Sequence, residues 1–203
     1  MPRVLQIFLS CASEDAGLAL ALSKALKGTQ EKEGFLDKDF SQVWLDTEEL
    51  RAGLDLTQQI SNQLDKTDIL IIVYTGQQTD SHGFTGIEVG YFMRTMKMDD
   101  GPIERRIVTF YSDSLPDATA NLKGIPLYIT KATLAQSSES YKNSLQSLSI
   151  NNPIALFLKD LEELINTLRK EAGFNDNAYD DNKRLQSVRD LLLECFEALK
   201  KRK

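Results

Sequence analysis

Ile69-Leu70-Ile71-Ile72-Val73-Tyr74 is the most apolar run in this chain of 203 residues, and Asp68 introduces it. Six residues without polar alternation have the length of a strand, and they read as one buried on both faces, as in a parallel sheet. A parallel neighbour can be reached only by a crossover, so the flanks decide the fold. Before the run, residues 56–66 carry Leu56, Ile60 and Leu64 four apart, which places them on one helical face. After it, a polar loop over 75–81 leads into a helix over 82–98.

The alternation extends both ways. Val4-Leu5-Gln6-Ile7-Phe8-Leu9-Ser10 is a strand-forming run, and the helix after it carries Leu18, Leu20, Leu22 and Leu26 as far as Lys27. Ser13 is the expected N-cap of that helix and Gly28 its C-cap. Gln42-Val43-Trp44-Leu45-Asp46 reads as the second strand, Arg106-Ile107-Val108-Thr109-Phe110-Tyr111 as the fourth, and Ile125-Pro126-Leu127-Tyr128-Ile129 as the fifth. Pro126 has no N–H to give to a ladder, which consigns the fifth strand to an edge. Past a Ser-rich stretch come helices over 153–170 and 181–200, separated by a break at 172–178. The order β-α-β-α-β-α-β-β-α with right-handed crossovers implies an α/β fold, an open doubly wound parallel sheet of order 2-1-3-4-5 with helices on both faces. Ligands of such sheets bind at the carboxyl ends of the strands, near the switch between strands 1 and 3.

The expected division is a main domain over 1–172 and a C-terminal helical extension over 173–203. The extension has an apolar stripe of Leu185, Val188, Leu191, Leu192, Cys195, Phe196 and Leu199. That stripe needs a cover, whether its own domain, a second copy or a following domain.

With 41% hydrophobic and 27% charged residues the chain has the composition of a globular protein, so a packed core is expected. A net charge of −6 argues against non-specific binding to nucleic acid or an anionic membrane. The basic cluster Lys200-Lys201-Arg202-Lys203 suits the negative end of a helix dipole. Cys11 and Cys195 lie far apart and His82 is the one histidine, so neither a disulfide framework nor a zinc site is expected. No stretch approaches the ~20 apolar residues of a membrane span, and the amino-terminal run is too brief for a signal peptide. The expectation is a reduced, cytoplasmic chain. Neither G-x-G-x-x-G nor G-x-x-x-x-G-K occurs, which disfavours a Rossmann dehydrogenase or a P-loop NTPase.

Three stretches carry a family likeness. Phe8-Leu9-Ser10-Cys11-Ala12-Ser13-Glu14-Asp15 leaves the first strand, and Val43-Trp44-Leu45-Asp46 with Leu50, Arg51 and Gly53 forms the second strand and its loop. Phe84-Thr85-Gly86-Ile87-Glu88 sets an aromatic residue four before a glutamate. In this order they resemble the strand-1 motif, the BB loop and the aromatic–glutamate spacing of TIR (Toll/interleukin receptor) domains of the bacterial NAD-cleaving type. Cys11 replaces the usual aromatic residue, and Phe84 replaces a tryptophan. The resemblance covers about residues 4–171 and implies a flavodoxin-like sheet. It also implies an NAD nucleosidase, with NAD as substrate and no cofactor, giving nicotinamide and ADP-ribose or a cyclic ADP-ribose isomer. A role in immune, including antiviral, defence belongs to the same expectation. So do a homo-oligomer held by TIR–TIR contacts and a sensor or partner protein. Two rivals share the fold: a non-catalytic TIR adaptor that recruits other proteins through the BB loop, and a nucleoside deoxyribosyltransferase that also uses a glutamate.

On this reading Glu88 is the expected catalytic residue, one preorganised carboxylate facing a sugar that becomes an oxocarbenium ion. The leaving group departs as neutral nicotinamide, so the paired carboxylates of an ordinary glycosidase are not required. Phe84, Glu88 and Tyr91 fall on one helical stripe, where the two rings can stack on substrate or desolvate the carboxylate. Gly86 and Gly90 bracket Glu88, and the close approach of a ligand or of a neighbouring element would explain both. The remaining substrate-binding candidates are Ser10, Cys11, Asp46 and Arg51. Ser10 either binds a phosphate or ribose or belongs to a capping loop. Cys11 lines the pocket without a base to make it a nucleophile. Asp46 and Arg51 frame the second loop, and Arg51 pairs either with a pyrophosphate or with Asp46, Glu48 or Glu49. His82 lines the site or is an exposed loop residue, and Trp44 reads as core.

Overall fold

The computed structural model describes residues 3–30, 33–45, 56–75, 82–96, 103–112 and 123–201, with backbone alone at 56–57, 82–87 and 123. Strand β1 (Leu5–Cys11) leads through a short 3-10 turn (Ser13–Asp15) into α1 (Ala16–Lys27), and β2 (Ser41–Leu45) follows. Then come α2 (Leu56–Leu64), β3 (Ile69–Tyr74), α3 (His82–Met96), β4 (Arg106–Tyr111) and β5 (Lys123–Pro126). Two short helices, α4 (Lys131–Leu134) and α5 (Ser138–Ser144), precede the long α6 (Pro153–Glu171) and α7 (Asp181–Lys200). The five strands form one parallel sheet of order β2-β1-β3-β4-β5, a flavodoxin-like α/β architecture with β5 at the edge.

The two-residue period of the strands sorts their side chains into two cores. Leu5, Ile7, Leu9 and Cys11 of β1 join Ile69, Ile71 and Val73 of β3 and Val108 and Phe110 of β4 on one face. Helices α1, α6 and α7 cover that face with Leu18, Leu22, Phe157, Leu161 and Phe196. Phe8, Trp44, Leu70, Ile72 and Ile107 turn to the other face, under Ile60 and Leu64 of α2 and Phe92 of α3. Burial on both faces explains why β3 lacks polar alternation.

Capping chemistry sets the helix ends. Ser13 is not the N-cap of α1. It lies within the 3-10 turn, its hydroxyl donates to Glu14 at 3.2 Å, and α1 starts after Asp15. Gly28 closes α1 at φ 80°, its N–H donating to Lys24 O at 2.8 Å. The carbonyls at the end of α2 are met by Arg105, whose guanidinium donates to Leu64 O at 2.5 Å and Thr67 O at 2.8 Å and lies 4.4 Å from the centroid of the Phe92 ring. The expected fifth strand over 125–129 is shifted to Lys123–Pro126. Leu127 still donates to Tyr111 O at 2.8 Å, but Tyr128 takes φ 55°, and that left-handed residue ends the extended chain. The Ser-rich connector holds the two short helices, each opened by a hydroxyl. Thr130 and Thr133 cap reciprocally, and Ser137 accepts from Ser140 N at 3.1 Å.

The C-terminal stripe is covered by its own chain. α7 packs on α1, α5 and α6, and Val188, Leu191, Leu192, Cys195, Phe196 and Leu199 are buried in the same core as the sheet. Arg184 ties α7 to α6 through Glu162 at 2.8 Å. The segment before α7 is anchored as well. Tyr179 donates to Phe35 O at 2.6 Å, Asn177 N donates to Asn166 Oδ1 at 2.9 Å, and Asn175 O accepts from Arg169 Nε at 3.0 Å. No helix among the described residues is long and apolar enough to cross a membrane.

Candidate functional site at the carboxyl end of the sheet

Helix α3 carries Glu88 and Phe92 four apart, so both point the same way. Phe92 is fully buried in the core under α3, and this fixes the face that Glu88 presents to the sheet. Ser10 lies two residues beyond Phe8 on β1, in register with Ile72, and therefore projects from that same sheet face. Its hydroxyl donates to Glu88 Oε2, a buried contact between residues 78 apart in sequence. Glu88 is 2% exposed and Ser10 0%. A carboxylate so far removed from water interacts strongly with any charge that develops beside it, because little solvent is left to screen the field.

A second polar cluster locks the strand ends next to this pair. Asp15 is fully buried and accepts from Thr75 N at 3.2 Å and Thr75 Oγ1 at 2.7 Å. Ser112 donates through Oγ to Thr75 O at 3.0 Å, and its N–H donates to Tyr74 O at 3.1 Å. The segments leaving β1, β3 and β4 are thereby held together at the carboxyl edge. In the sequence Asp15 stands as the last residue of the strand-1 motif and Thr75 as the residue leaving the third strand at the switch-point edge, with no link between them. The available signal was an acidic residue five positions after Ser10, between a strand end and an apolar helix, where a carboxylate can satisfy loop N–H groups.

The structure brings Ser10 and Glu88 together and puts the other described candidates elsewhere. Cys11 belongs to the opposite core, with Leu9 and Val73, because adjacent strand residues face opposite ways. Tyr91 donates its hydroxyl to Asp65 at 2.8 Å, beyond the end of α2 and toward the amino-terminal edge of the sheet. That hydrogen bond pushes the Tyr91 phenol above its ordinary pKa, with partial burial and the Asp65 charge adding to the effect. Tyr91 therefore does not flank the Glu88 carboxylate. Trp44 is core, tilted against Phe8 with ring centroids 4.5 Å apart. No neighbouring element among the described residues approaches Gly90, since a Cβ there would meet none of their atoms within 4 Å. Asp46 and Arg51 lie outside the described residues, as do the side chains of His82 and Phe84, and Gly86 is described by its place in α3 alone. No group of three or more His, Cys, Asp or Glu among the described residues could hold a metal ion.

Fold and site together define a flavodoxin-like α/β protein with a buried serine–carboxylate pair at the switch between β1 and β3. In comparisons with known proteins, no family model and no curated sequence matches the chain.

Proposed function

We propose that the chain is an NAD glycohydrolase of the TIR type, in which Glu88 stabilises the ribosyl cation formed as the nicotinamide–ribose bond breaks. One observation carries the reading: a carboxylate buried against a strand-end serine, at the point of the sheet where this architecture binds ligands. Burying a carboxylate is costly. An enzyme gains a fixed negative charge in a medium of low polarity, aimed where positive charge appears only in the transition state.

In the proposed reaction the C1′–nitrogen bond breaks and its electron pair leaves with nicotinamide, which becomes neutral. Water adds to C1′ and releases a proton, giving ADP-ribose; attack by a nitrogen of the same molecule's adenine, which also releases a proton, gives instead a cyclic ADP-ribose, one water short of the linear product. Glu88 exchanges no proton in this scheme and supplies electrostatic stabilisation. Because the carboxylate is closed off in the single chain, turnover is expected to be weak until copies associate and open or complete the site. This accords with a cytoplasmic defence enzyme triggered by self-association, with or without a sensor protein.

The test is nicotinamide release from NAD over a rising series of protein concentrations. Turnover should climb more steeply than in proportion to protein, and Glu88→Gln should lower it by at least 100-fold. Equal release by Glu88→Gln would remove the carboxylate from the reaction. No release at any concentration would leave an adaptor, and release of base from deoxynucleosides alone would leave a deoxyribosyltransferase.

A further inference from the structure

We infer that Ser10 is a positioning residue, one that holds the Glu88 carboxylate in place and acts through it rather than on substrate. The inference rests on the proposed role of Glu88 and adds what orients it. Three observations carry it. Ser10 has no exposed surface in the single chain, and its hydroxyl faces the Glu88 carboxylate rather than solvent. A serine hydroxyl has a single proton to donate, and here that proton goes to Glu88 Oε2. Finally, the donor sits on the most constrained backbone available. β1 is flanked by β2 and β3, with Leu9 paired to both Leu45 and Ile71 and Ser10 paired to Ile72. Just beyond the strand, Asp15 binds Thr75 through two hydrogen bonds, so β1 and β3 cannot slide past each other without breaking the clamp.

The physical consequence is specific. A glutamate on a helix has three side-chain torsions, and packing around Phe92 fixes the helix face without fixing the carboxylate plane. A charge-assisted hydrogen bond from a rigid strand supplies the missing constraint. Losing it leaves NAD recognition in place and blurs the direction of the charge at the moment of bond breaking. The loss is one of transition-state stabilisation, so it appears in kcat and not in KM.

The experiment compares Ser10→Ala and Ser10→Cys with the unsubstituted protein, under conditions where the assembled protein turns over NAD. The expected order of kcat is serine, then cysteine, then alanine. Alanine should be 10- to 100-fold below serine, with KM for NAD within about threefold throughout. A second measurement needs no activity: a double-mutant cycle of Ser10→Ala and Glu88→Gln followed by urea unfolding, in which the two changes should be clearly non-additive. A raised KM at unchanged kcat would overturn the inference in favour of a substrate-binding serine. Additive effects in the cycle would overturn it by showing that the pair is not coupled. If the unsubstituted protein does not cleave NAD, the role of Glu88 fails first. Coupling that persists in that case marks Ser10 and Glu88 as a purely structural pair.

Discussion

Replacing Phe196 with alanine tests whether α7 is part of the body of the protein. Phe196 is fully buried, its ring stacked on Tyr141 with centroids 4.2 Å apart and planes 12° apart. Truncating a buried phenylalanine costs about 3–5 kcal/mol once the cavity is included. The stacked partner favours the upper half of that range, since such pairs add roughly 0.5–1.5 kcal/mol beyond their buried area. For a chain of this size each kcal/mol moves Tm by about 2–4 °C, so Phe196→Ala should lower it by roughly 8–20 °C. The informative readout is the single tryptophan. Trp44 sits against Phe8 in the core under α2 and α3, on the far side of the sheet from α7. If α7 shares one cooperative core with the sheet, urea transitions followed by Trp44 fluorescence and by far-UV circular dichroism should shift together. Should helix signal be lost at low urea while the Trp44 transition of the variant stays where it was, α7 would be an independent appendage and the reasoning would fail.

Two further outcomes follow from particular contacts. The Tyr141 hydroxyl is buried and has no hydrogen-bond partner among the described residues, and burial pushes its pKa well above the ordinary tyrosine value. Tyr141→Phe should therefore raise stability by about 1 kcal/mol, seen as a higher urea midpoint at unchanged slope. The two glycines Gly90 and Gly34 should respond in opposite directions. At Gly90 an added methyl meets nothing among the described residues, so Gly90→Ala should stabilise α3 by about 0.5–1 kcal/mol. At Gly34 it would stand 2.2 Å from Gly28 N, so Gly34→Ala should cost several times as much in the same unfolding assay.

How far the sequence could be read depended on which force sets each element. β3, β4 and α7 were legible to the residue because their burial pattern is the whole signal: a run apolar on both faces for the strands, a helical stripe for α7. β5 was misplaced because Leu127 and Ile129 are as apolar as any strand residue, and only the left-handed turn at Tyr128 ends the pairing. α4 and α5 escaped notice because hydroxyl caps, rather than a stripe, define them. Leu134, Tyr141 and Leu145 are too few to show a period. The cover over α7 was legible only as a need. Which surface met it is a tertiary fact, and α1 supplies it.

The candidate site shows the same division at the scale of one residue. Ser10 and Cys11 leave β1 side by side, and a reading by position alone gathers both to the switch point. The strand period separates them: Phe8 and Ser10 face α3, while Leu9 and Cys11 face the core under α1, α6 and α7. Pairwise alternation is visible in the sequence, but nothing local says which member of each pair looks toward the glutamate helix. That choice follows from the crossovers. The connection from β1 to β2 runs over one face, and the connections through α2 and α3 run over the other, as right-handed crossovers on either side of a switch require. Topology therefore assigns the neighbour of Glu88, giving it a hydroxyl donor and placing the thiol across the sheet. Any chemistry at Glu88 must be that of a carboxylate steadied by a hydrogen bond, with Cys11 sulfur too remote to act as a nucleophile toward the same substrate.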